Sequence, residues 1–124
     1  MPEGALINFL AQRENPTANV SLMPPEFIMF GEDQMLASLQ KSPPDYIALV
    51  HRDTTFYGPH FFGQQYAVRI ARWIADNYDI AGGKLYGDLP PFNEENRFSI
   101  LVVRRKGAGT PGPGLAGASR FTAR

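Results

Sequence analysis

At 124 residues, with 44% hydrophobic and 12% aromatic content, the chain has the size of one domain and enough apolar side chains to pack a core, which excludes a disordered polymer. Twelve Lys and Arg balance twelve Asp and Glu, so the basic excess that marks a nucleic-acid binder is missing. The absence of cysteine excludes disulfides, thiolate metal sites and cysteine nucleophiles.

Residues 1–104 read as a single α/β domain and residues 105–124 as a tail. Ala5 to Arg13 carries Leu6, Phe9 and Leu10 at helical spacing, and Asn15-Pro16 ends that helix. Asn19 to Met23 is short and extended, stopped by Pro24-Pro25, and Phe27 to Phe30 fits either strand or loop. Gly31-Glu32-Asp33 opens a second helix through Lys41, with acidic residues in the first turn, a lysine in the last, and Met35, Leu36 and Leu39 as its buried stripe. After Ser42-Pro43-Pro44, the run Tyr46-Ile47-Ala48-Leu49-Val50 predicts a central strand covered on both faces.

A polar and aromatic loop follows from His51 to Gly63. Gln64 to Tyr78 predicts the strongest helix, with Tyr66, Ile70, Trp73 and Ile74 on one face. Ile80 to Tyr86 reads as a strand interrupted at Gly82-Gly83, Asp88 to Asn96 as a loop, and Arg97 to Arg104 as the last strand. From Gly107 onward the chain is mostly Gly, Ala, Pro and Ser, a composition that predicts a disordered tail. Alternating helices and strands imply a three-layer, Rossmann-like sandwich: a mostly parallel sheet of about four strands with helices on both faces, and a short final connection that permits an antiparallel edge hairpin. A strand normally precedes the first helix in such a fold, so the natural polypeptide is expected to extend upstream of Pro2.

In an open parallel sheet, ligands bind beyond the carboxyl ends of the strands. Glu3, Pro24-Pro25-Glu26 and His51-Arg52-Asp53 are expected there, with Tyr57 and His60 nearby. Glu3, His51, Arg52, Asp53, Tyr57 and His60 are therefore the candidate cleft residues. An ordinary solvated set of strand-end loops explains the same residues. His51-Arg52-Asp53 shares three letters with the protein-kinase catalytic loop, but that pattern requires Asn where Gly58 stands, and the phosphate loop and strand lysine are missing. No Gly-x-Ser-x-Gly elbow exists for a serine hydrolase, and no Walker or Gly-x-Gly-x-x-Gly loop for phosphate. His51 with Glu3 or Asp53 offers an acid–base pair, although a histidine at a strand end is more often a hydrogen-bonded structural residue. His51, His60 and Asp53 match no metal-ligand spacing, and no cofactor signature is present. Phe56, Tyr57, Phe61 and Phe62 form either a lid packed on the core or an apolar patch for a partner or a lipid surface.

The order of several short segments carries a resemblance. Pro2-Glu3-Gly4 before a helix is followed by Arg13-Glu14-Asn15-Pro16-Thr17, Phe30-Gly31-Glu32 and Pro43-Pro44-Asp45-Tyr46. His51-Arg52-Asp53-Thr54, Tyr57-Gly58, Phe62-Gly63, Trp73-Ile74 and Tyr78 then follow. Over roughly residues 2 to 104, this order resembles the C-terminal domain of bacterial polytopic membrane glycosyltransferases of the dolichyl-phosphate-mannose–protein mannosyltransferase type. No single segment is diagnostic; the specificity lies in the order. The resemblance implies a parent enzyme in the cell membrane that uses a lipid-phosphate-linked sugar, with its catalytic acids in a membrane region this chain does not contain. The chain itself has no stretch approaching the ~18 apolar residues of a spanning helix and no leader pattern, so it reads as a soluble piece. It would then be an extracytoplasmic accessory domain that contacts the membrane region and holds a lipid-linked sugar or a glycan acceptor, without catalytic residues of its own. Two other readings stand beside it: a small stand-alone enzyme using His51 and Asp53, and a protein-interaction module using the Phe56–Phe62 loop.

Overall fold

A computed structural model describes residues 10, 12, 14, 15, 21–84 and 100–109, with backbone alone at 83 and 84. The expected strand before the first helix, most of the Ala5–Arg13 helix, the 88–96 loop and the tail beyond residue 109 lie outside the described residues. In chain order the elements are α1 (Pro24–Phe30), α2 (Glu32–Lys41), β1 (Tyr46–Val50), a 3-10 turn (Thr55–Tyr57), α3 (Val68–Asn77), β2 (Tyr78–Lys84) and β3 (Ile100–Arg105).

The mostly parallel sheet of four strands is not what these residues form. Among the described residues the sheet has three strands in the order β1-β3-β2, and both pairings are antiparallel. Alternation did mark a real feature. β1 and β2 run the same way and are joined through α3, as in a β-α-β unit. The last strand then returns and enters the gap between them, which periodicity along the chain cannot reveal, because strand order is set by long-range pairing.

Burial explains why the gap is filled. β3 presents Leu101 and Val103 to the core, opposite Leu49 and Ile47 of β1, and all four are buried. These cross-strand pairs meet Met35, Leu36 and Leu39 of α2 and Ile70, Ala71 and Ile74 of α3 in one cluster. Burying each such side chain contributes about 1.5–3 kcal/mol. The alternate strand residues Tyr46, Ala48, Val50 and Val102 are exposed or half-buried. Among the described residues, then, helices cover one face of the sheet, and the layering is helix on sheet instead of three layers. β1, expected to be central, buries alternate residues only, and β3 is the middle strand.

Two further boundaries differ from expectation. Pro24-Pro25, read as a stop, begins α1: proline's fixed φ suits the first helical positions, whose N–H groups have no intrahelical partner. α3 starts at Val68 instead of Gln64, because Phe61 to Tyr66 forms a tight turn closed by Gly63 N–H donating to Tyr66 O at 2.7 Å, with Gly63 at φ +82°. Ala67, at φ +54°, then joins this turn to the helix in a left-handed conformation rare for a residue with a Cβ.

α3 begins without a capping side chain of its own. Glu32, at the start of α2, supplies one: its Oε1 accepts from Arg69 N–H at 2.7 Å and Ile70 N–H at 3.0 Å. The neighbouring Asp33 pairs with the Arg69 guanidinium. A carboxylate at a helix N-terminus satisfies two orphan donors and meets the positive end of the helix dipole. At the opposite end of the domain, the Tyr78 hydroxyl donates to Pro44 O at 2.7 Å, Arg105 pairs with Asp45 at 2.7 Å, and Lys106 Nζ donates to Asp76 O at 2.9 Å.

Glu32→Ala is expected to cost about 1–2 kcal/mol through the lost α3 cap, and Asp33→Ala under about 1 kcal/mol because its ion pair is solvent-exposed; paired denaturant melts check the ranking. Burial pushes the Tyr78 phenol up to about 12, with Arg105 opposing and Asp45 adding to the shift. Its folded pKa thus exceeds the unfolded value of about 10, so its stabilising contribution is complete below about pH 10 and is lost as pH rises toward 12. An ultraviolet titration should show one tyrosine ionising late, and Tyr78→Phe should remove that step.

Candidate functional site

β1 delivers the chain into the segment from His51 to Ala67, and its polar groups fold this segment back on itself. Thr54 is the pin. Only 1% exposed, it donates its hydroxyl toward Pro59 O at 2.7 Å and His60 O at 2.8 Å, and its N–H donates to His60 O at 2.8 Å. Tyr57 N–H returns to Thr54 O at 2.8 Å and Gly58 N–H to Thr55 O at 2.9 Å, closing the 3-10 turn. Gly58 sits at φ +105°, a conformation that favours glycine. His60 N–H donates to the Gln65 side-chain oxygen, tying the returning limb to the turn before α3.

Asp53 orders the tip. Its Oδ1 accepts from Thr55 N–H at 2.9 Å and from the Thr55 hydroxyl. These two hydrogen bonds, with smaller contributions from His60 and His51, hold its carboxyl below the ordinary carboxylate range. Residues of this type commonly bond to backbone two positions on and so stabilise turns.

The two histidines flank one ring. His51 is 5% exposed and stacks on Phe61, with centroids 5.2 Å apart and planes at 25°. His60 lies 6.0 Å from the same ring, tilted by 53°. Phe61 and Phe62 are buried, and Phe62 meets Tyr66 edge-on at 5.8 Å. Phe56 and Tyr57 point the other way: Phe56 is 94% exposed, and Tyr57 packs against it edge-on at 5.4 Å. The aromatic loop is therefore both things at once, a plug through Phe61 and Phe62 and an outward pair at Phe56 and Tyr57.

Of the residues singled out in the sequence, His51, Asp53, His60 and Tyr57 belong to this one loop, and Arg52 is exposed beside them. Glu3 lies outside the described residues. Glu26, at the start of α1, accepts from the Ser21 hydroxyl at 2.5 Å. The parallel sheet from which that cleft was expected is not formed, because β3 lies between β1 and β2 and pairs antiparallel with both. Among the described residues, no three His, Cys, Asp or Glu side chains group to hold a metal ion. Sequence reasoning missed Thr54 and Gln65, which fix the loop, and Ile28 and Met29, which α1 leaves exposed. The proline pair ahead of Glu26 was the available signal for that helix.

No family model, curated protein or solved structure matches the chain. No helix among the described residues is long and apolar enough to cross a membrane.

Thr54→Val keeps the shape and deletes the hydroxyl that reaches the Pro59 and His60 carbonyls. It is expected to cost about 1–3 kcal/mol, with hydrogen exchange at Tyr57 and Gly58 rising well before that of the β3 amides. Thr54→Ser should restore most of the protection.

Proposed function

We propose that this chain is a non-catalytic accessory domain of a membrane-bound glycosyltransferase that uses a lipid-phosphate-linked sugar, and that it works outside the cytoplasm through the loop after β1. The glycosyltransferase part of this reading comes from the ordered segments between Pro2 and Tyr78. The accessory part is carried by one observation: the loop's polar groups hold the loop, and its aromatic pair faces out. Thr54 binds the backbone of Pro59 and His60, and Asp53 binds Thr55. His51, the base an enzyme would need, is buried against Phe61. A general base must reach the proton it removes. A braced loop tipped by Phe56 and Tyr57 is suited to contact with a partner surface.

Within this reading, the domain presents its loop to the membrane region of the parent enzyme and helps hold a lipid-linked sugar or a glycan acceptor there. The parent supplies the catalytic acids. The parent reading frame is expected to encode several apolar segments of about 20 residues upstream of this domain. Sequencing that frame tests the proposal; a frame with no such segments overturns it.

A further inference from the structure

We draw no further inference here: the strongest candidate, the side-chain cluster of His51, His60 and Asp53 around the Phe61 ring in the loop after β1, belongs to the site already described.

Discussion

The insertion of β3 between β1 and β2 is the constraint on which the remaining structure depends. Leu101 and Val103 have no other way to meet Leu49 and Ile47, and without those pairs α2 and α3 have no apolar sheet to cover. The same strand closes the far end of the domain, where Arg105 N–H donates to Asp45 O at 2.8 Å and Lys106 N–H to Asn77 O at 2.9 Å. With that end tied by backbone and ion pairs, the other end carries the loops. α1, the start of α3 and the segment after β1 meet there, linked by Glu32 and by the contact of Phe27 with Tyr66 at 5.5 Å.

The loop after β1 illustrates how polar side chains can serve geometry. Histidine, arginine, aspartate and threonine in succession invite a catalytic interpretation. Here the threonine binds carbonyls of the returning limb and the aspartate binds the exposed Thr55 N–H, so both hold the turn. Two phenylalanines anchor the segment from below. What this arrangement produces is a defined tip, and the tip is apolar.

Local elements were legible wherever one periodicity dominated. The stripe Met35-Leu36-Leu39 and the run Tyr46–Val50 gave α2 and β1 with their bounds, and Ile70 and Ile74 marked the core face of α3. Topology was not legible, because the pairing of β3 with two strands distant in sequence leaves no mark in local spacing, and the helix–strand alternation is the same for a parallel sheet and for this split arrangement. The candidate loop was found, since five of its polar and aromatic residues, His51, Arg52, Asp53, Tyr57 and His60, cluster in sequence, but their roles were not. Whether Asp53 binds a substrate or Thr55, and whether Phe61 or Phe56 faces the core, depends on the turn closed by Thr54, a residue with no distinctive local signature. The exposed strip Ile28-Met29 was hidden for the opposite reason: an apolar run before a glycine reads as something to be buried.

The late position of β3 also shapes how the chain reaches its fold. Until Ile100 to Arg105 have been made, β1 and β2 have no partner between them, and their long-range closure must be paid for in loop entropy before any ladder bond forms. During synthesis the first two helices and β1 emerge early and wait with Ile47 and Leu49 unpaired. Cooperative collapse is therefore postponed to the end of the domain, and any truncation short of residue 100 leaves a sticky, half-built sheet exposed to aggregation and proteolysis.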